Sequence, residues 1–173
     1  MVIRSKQKLE IIKPFNIVLV EPEIPPNTGN IARLCAATTT KLHLIYPLGC
    51  KITDKEIKRA GLDYWHLVDI KEHENWEKFE NQYDQNCWFF STRGEKNIWE
   101  VKFNPGDFLI FGSETKGLRE DILYSNKNTN RIISIPMNGK TRSINLSTAV
   151  GIVLYEALRQ AVVEKRLIEI LPL

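Results

Sequence analysis

The chain has 173 residues, 43% hydrophobic and 26% charged, with a formal net charge of +3. That is the length and make-up of one soluble globular domain with a real core. No run reaches the ~18 apolar residues that cross a bilayer, and the Lys and Arg scattered through the first 13 residues argue against a signal-peptide core.

Cys35, Cys50 and Cys87 have neither metal nor disulfide spacing, and an odd number of thiols fits a reducing cytoplasm. The charge is concentrated at one end. Arg4, Lys6, Lys8 and Lys13 stand against Glu10 alone, so residues 1–13 carry the whole imbalance. Such an arm either touches nucleic acid through phosphates or is a frayed, soluble terminus.

In chain order, Phe15–Val20 is a β-branched apolar run and predicts a strand. Pro22, Pro25 and Pro26 punctuate the next loop. Asn27 or Thr28 then caps a helix with an apolar face of Ile31, Leu34, Cys35 and Thr38. Lys41–Tyr46 predicts a strand stopped by Pro47 and Gly49. Thr53 or Asp54 opens a short helix to Ala60, closed by Gly61. Tyr64–Ile70 predicts a strand, and Asn75–Tyr83 an acidic amphipathic helix with Trp76, Phe79 and Tyr83 at helical spacing. Cys87–Ser91, Phe108–Phe111 and Arg131–Ile135 predict three more strands, with a helix near Arg119–Ser125 before the last. Ser147–Lys165 is the longest predicted helix. Its stripe is Val150, Val153, Leu154, Ala157, Leu158, Ala161 and Val162.

This alternation implies an α/β fold: a mostly parallel sheet with helices on both faces. The organisation is a basic arm over residues 1–14, one domain over 15–166, and an apolar tail over 167–173 that docks on its own fold or on a partner. The long helix either packs one wide stripe on the sheet or offers a second face to another subunit. Two strands break into polar, Gly-bearing loops: Phe111 into Gly112–Gly117, and Ile135 into Pro136–Asn145. Loops at the carboxyl ends of such strands bind ligands, so the two predict one pocket with two walls.

Familiar nucleotide motifs are missing. No G-x-G-x-x-G follows the first strand, and Leu118 stands where a phosphate loop needs lysine. His43, His66 and His73 fall in different elements without paired spacing, so no metal site is expected, and His43 reads as a core histidine. No serine-nucleophile elbow is present. What remains are polar residues at loop mouths. Asn30 and Arg33 share a face of the first helix, Glu114 lies in the first pocket loop, and Arg142, Ser143 and Asn145 lie in the second. Each has an ordinary reading: Asn27 and Asn30 as caps, Glu114 as partner to Lys116, and Ser143 or Asn145 as cap of the long helix.

Four blocks carry a resemblance. They are Glu21–Ala36 (EPEIPPNTGNIARLCA), Arg59–Tyr64 (RAGLDY), Phe111–Leu118 (FGSETKGL), and Ile135-Pro136-Met137 with Arg142–Ser147 (RSINLS). The chain resembles the SPOUT-class RNA ribose 2′-O-methyltransferases, nearest to those that methylate the wobble cytidine or uridine in the anticodon loop of leucine tRNAs. The likeness runs from about Phe15 to Arg159. It implies a deep C-terminal trefoil knot, S-adenosylmethionine as cofactor, S-adenosylhomocysteine as product, and a homodimer with its active sites at the subunit interface. The cofactor would lie against Phe90, Thr92, Gly112, Glu114, Gly117, Ile135, Ser143 and Asn145, largely through backbone groups, with Met137 and Leu146 walling the adenine. Three features depart from the pattern: the arm before Phe15, Lys116 where arginine is common, and Gly139-Lys140 where proline and aspartate are common.

On the resemblance, Arg33 is the residue central to catalysis. A guanidinium with a pKa above ~12 is a poor base, so it reads first as a fork on the phosphate beside the target ribose, and second as the proton acceptor. Glu114 would orient it, and Asn30 and Asn145 would fix the ribose. Arg93, Lys140 and Arg142 would join Arg33 in holding a single-stranded anticodon loop. Two other readings are ribosomal RNA methylation by the same chemistry and an RNA- or cofactor-binding module without turnover.

Overall fold

The computed structural model describes residues 7–49, 64–83, 86–125, 129–164 and 168–172. In chain order these form β1 (Gln7–Ile11), β2 (Asn16–Val20), α1 (Pro25–Thr38), β3 (Lys41–Ile45) and β4 (Ile70–His73). Then come α2 (Trp76–Gln82), β5 (Cys87–Phe90), β6 (Lys96–Asn97), β7 (Phe108–Phe111) and α3 (Glu120–Leu123). The chain finishes with β8 (Ile132–Ser134), α4 (Leu146–Val163) and β9 (Ile168–Pro172).

Seven strands form one sheet in the order β4-β3-β2-β7-β5-β8-β6, and every pairing is parallel. Side chains alternate along each strand, so two cores follow from one sheet. Ile17 and Leu19 of β2 join Leu42, Leu44, Leu109 and Phe111 under Ile31 and Cys35 of α1 and Val150, Val153, Leu154 and Ala157 of α4. Val18 and Val20 join Ile45, Phe89 and Ile110 under Trp76 and Phe79 of α2 and Ile122 and Leu123 of α3. The α/β sheet with helices on both faces is as the sequence predicts. Burial pushes the Cys35 thiol up to about 12, so it packs as a small hydrophobe. By length and mean hydropathy (1.3) α4 passes for a membrane span, yet its stripe is buried in the sheet's core.

Several boundaries differ from the sequence reading. Tyr64–Ile70 is not a strand. Trp65–Leu67 is a 3₁₀ turn, with Leu67 and Tyr64 exposed, and the strand starts only at Ile70, paired with Leu42 of β3. The aromatic and β-branched residues that suggested a strand there instead run beside α1. The first helix starts at Pro25 rather than at an Asn27 or Thr28 cap, because proline suits the first turn, where its missing N–H has no helical partner. Arg131 ends a 3₁₀ turn and Ile135 lies beyond β8. The predicted helix from Thr53 to Ala60, and most of the Arg59–Tyr64 block, lie outside the described residues.

The two ends of the chain meet. β1 pairs antiparallel with β9, Leu9 opposite Ile170 and Ile11 opposite Ile168. Leu9 and Ile11 pack against the α1–α4 core. Part of the basic arm is therefore a strand, and its partner is the apolar tail of the same chain.

His43 and His73 also meet, although the sequence reading kept them apart. The parallel β3–β4 register sets His73 opposite Ile45, and His43 Nδ1 lies 2.9 Å from His73 Nε2. The rings stack among Phe79 and Tyr83. His43 Nε2 is buried with no hydrogen-bond partner among the described residues. Burial, then the charges His73, Lys41 and Lys71 would add, pushes His43 down to about 3, and burial followed by Lys71 lowers His73. Both are neutral in the native state at pH 7. An unfolded histidine takes its proton near pH 6.5, so stability is full above that value and is lost as pH falls toward 3. The loss approaches ~1.4 kcal/mol per pH unit for His43, and His73 adds in the same direction. Thermal unfolding should show Tm falling from pH 7 to pH 4.5, and falling less steeply in His43→Gln. Equal slopes in the two proteins would contradict this.

Candidate functional site

The carboxyl ends of β5, β7 and β8 open into a cavity of 660 Å³. Its lining includes Phe90, Thr92, Gly112, Glu114, Gly117, Ile135, Met137, Ser143, Asn145 and Leu146. The two polar loops form its walls, and Phe90 and Phe111 stack face to face at 4.8 Å beneath it. Arg93, Lys116 and Arg142 also reach the lining. Asn30, Arg33 and Lys140 are outside it and exposed.

Two glycines shape the first wall. A Cβ on Gly112 would collide with the backbone of Gly117 and Leu118. Gly117 itself sits in the left-handed region at φ 69°, closing a tight turn in which its N–H donates to Ser113 O at 2.9 Å. Gly112→Ala is therefore expected to lower Tm and remove ligand binding in the cavity, read by calorimetry. Wild-type binding in that variant would contradict the packing described.

One carboxylate ties the site together. Glu114 accepts hydrogen bonds from the backbone N–H of Glu23 (2.8 Å) and Ile24 (3.2 Å), and from Asn27 Nδ2 (2.9 Å). Asn27 Oδ1 accepts from Asn145 Nδ2 at 2.9 Å. Asn145 Oδ1 in turn caps α4, accepting from Ser147 N (2.9 Å) and Thr148 N (3.3 Å). A return clasp runs from Thr115 Oγ1 to Glu23 Oε2 at 2.6 Å. Three segments far apart in sequence are thus locked at the cavity's edge, two by charge-assisted bonds to Glu114 and Glu23 and the third by the amide bond between Asn27 and Asn145. Beside them Glu21, at φ 52°, leaves β2 in the left-handed region. Its N–H is held by Ile45 O (3.0 Å) and its carboxylate by Arg119 (3.1 Å).

Some predicted roles change with this geometry. Asn27 is a bridge rather than a cap. Within the chain, the Glu114 oxygens face Glu23, Ile24 and Asn27 rather than the same chain's Arg33. The Arg33 guanidinium lies over the Tyr64 ring, 4.8 Å from its centre, and no ion pair holds it among the described residues. Asn145 keeps both its ordinary role as a cap and its place in the cavity. Arg93 is paired with Glu120 at 2.9 Å. Glu23, Arg119 and Tyr64 were given no site role from sequence. Glu23 lies in Glu21–Asn30, a stretch dense in polar and Pro residues that reads only as a loop until its partners are seen.

The lining fits a nucleoside-bearing cofactor. Apolar walls from Phe90, Ile133, Ile135, Met137 and Leu146 suit a flat purine. The space that a Cβ on Gly112 would fill keeps the backbone open to close approach. No cluster of three metal-ligating side chains occurs among the described residues.

The fold and site define a parallel α/β protein with its ligand cavity at the carboxyl ends of the central strands. The SpoU rRNA methylase family matches residues 14–155. A tRNA (cytidine(34)-2′-O)-methyltransferase of Saccharophagus degradans is 50% identical over 147 residues, 84% of this chain and 95% of that protein. One from Yersinia pestis is 47% identical over 152 residues, covering 84% and 93%. A solved structure reported for the 2′-OH methylation of C/U34 on tRNA superposes with a TM-score of 0.79 at 42% identity, over 89% of this chain and 99% of that one. This chain belongs to the SpoU rRNA methylase family. The family match stops short of both strands of the terminal ribbon.

Proposed function

We propose that this chain uses S-adenosylmethionine to methylate the ribose 2′-hydroxyl of the wobble nucleotide, position 34, in the anticodon loop of leucine tRNAs. The nucleotide is cytidine or a 5-modified uridine, and the setting is a reducing cytoplasm. The relatives' names support the position. The observation that carries the reading is the lock between Glu114, Asn27 and Asn145, which joins three of the four family blocks at the edge of the cavity.

When bound, S-adenosylmethionine supplies a methyl on a sulfonium whose sulfur leaves readily. The chain's own residues then have two tasks, alignment and removal of the hydroxyl proton. Phe90, Ile135, Met137 and Leu146 hold the purine, and the Gly112 and Ser143 loops shape the polar side. Arg33 holds the phosphate beside the target ribose as a two-pronged donor, and Asn30, one turn away on the same exposed face, helps to fix the ribose. The fold also carries the trefoil knot of its class, with residues 15–166 as the methyltransferase domain.

Arg33 and Asn30 do not line the cavity of their own chain. The site is completed by a second copy, which brings its α1 to this cavity. Ile24 (43% exposed) beside the cavity, and Ile152 and Tyr155 (40% and 54%) on the solvent face of α4, support such a homodimer.

The test is incubation with isotopically labelled S-adenosylmethionine and unmodified total tRNA, followed by nucleoside mass spectrometry. Label in 2′-O-methylcytidine or 2′-O-methyluridine is expected. No label in tRNA despite cofactor binding would overturn the tRNA reading.

A further inference from the structure

Trp99 is 70% exposed, the highest exposure of any Phe, Tyr or Trp among the described residues. The other indoles are engaged. Trp65 packs against the core, Trp76 is buried against Phe79, and Trp88 Nε1 donates to Asp107 at 2.8 Å. Exposure on that scale usually accompanies a mobile tip. Here the backbone is fixed instead. Trp99 N donates to Asn97 Oδ1 (2.9 Å), Asn97 N donates to Glu100 Oε2 (2.8 Å), and Glu100 N donates to Asn97 O (3.0 Å). Asn97 Nδ2 also donates to Glu100 Oε2. A turn held by four bonds presents an indole to solvent.

Its position follows from the sheet. β6 is the edge strand and runs parallel to β8, with Lys96 opposite Ile133 and Asn97 opposite Ser134. Ile98 N donates to Ser134 O at 3.1 Å. Ser134 lies between Ile133 and Ile135, both in the cavity lining. The turn after β6 therefore emerges at the cavity's end of the sheet, six residues beyond the lining residue Arg93.

We propose that Trp99 is a stacking platform for an unpaired base of the RNA substrate, next to the nucleotide being methylated. The inference rests on the RNA-methyltransferase reading above. Splayed loop bases are recognised by stacking on aromatic side chains, and an exposed indole on a turn held by hydrogen bonds offers a ring face with little backbone ordering cost.

The experiment measures binding of a fluorescently labelled leucine-tRNA anticodon stem-loop by anisotropy, with solution mass by light scattering and S-adenosylmethionine affinity by calorimetry. Trp99→Ala should weaken stem-loop binding about tenfold, and Trp99→Phe should stay within about twofold of wild type. Cofactor affinity and mass should be unchanged in both. Unchanged stem-loop binding in Trp99→Ala would overturn the proposal. So would a halved mass, which would make Trp99 a contact between copies. A wild-type protein that binds the stem-loop through Trp99 but transfers no methyl would sink the enzymatic reading and leave the stacking role standing.

Discussion

Arg33→Lys is expected to lower kcat/KM for RNA methylation about 30- to 150-fold, with cofactor affinity and Tm unchanged. The size follows from losing one charge-assisted bond of ~2–3 kcal/mol to a phosphate or developing oxyanion. Lysine keeps the charge and most of the length but not the planar fork. Stability should hold because Arg33 is exposed and its contact, the Tyr64 ring at 4.8 Å, is the kind worth ~0.5–1 kcal/mol at an exposed site. Tyr64→Ala should therefore cost activity less than Arg33→Lys does. Near-normal turnover in Arg33→Lys would remove the fork from the mechanism.

Glu114→Gln is expected to weaken S-adenosylmethionine binding by about tenfold or more and to lower Tm by roughly 5–10 °C. The carboxylate accepts from three donors, Glu23 N, Ile24 N and Asn27 Nδ2. An amide offers one oxygen and turns an NH₂ toward donors, so at least one bond becomes a repulsion. A lost bond to a buried or half-buried charge costs ~1.5–3 kcal/mol, and each kcal/mol moves Tm by roughly 2–4 °C in a domain of this size. The effect reaches the cavity because Asn27 passes it to Asn145, the cap of α4. Asn27→Ala should reproduce the loss of cofactor affinity. Calorimetry on both variants checks this; wild-type affinity in either would show that the lock does not shape the cavity.

Local periodicity carried most of the main sheet. β2, β3, β5 and β7 are short apolar runs whose alternate residues feed two cores, and α4 shows its buried stripe at helical spacing. What it could not carry was pairing across the chain. The apolar tail that holds β9 predicts docking but not on what, and only its register with β1 of the basic arm makes a ribbon. His43 and His73 meet through a strand register that no spacing reveals. Tyr64–Val68 has strand-like composition but forms a 3₁₀ turn at Trp65–Leu67 instead. At the site, the cavity residues were legible through their family blocks. Asn27 was misread because Pro25 and Pro26 had already taken the first helical turn, leaving its side chain to reach Glu114 and Asn145.

The most direct test of the account is subunit complementation. Arg33→Ala keeps the cavity but loses the fork. Leu146→Trp fills the cavity but keeps Arg33. Each alone should be inactive in the labelled tRNA assay while retaining a dimer's mass. Mixed at equal amounts and allowed to exchange, they should recover roughly a quarter of wild-type methylation, because half the dimers then contain one intact composite site of two. A mixture that stays inactive despite forming mixed dimers would contradict a site built from one copy's cavity and the other's Arg33.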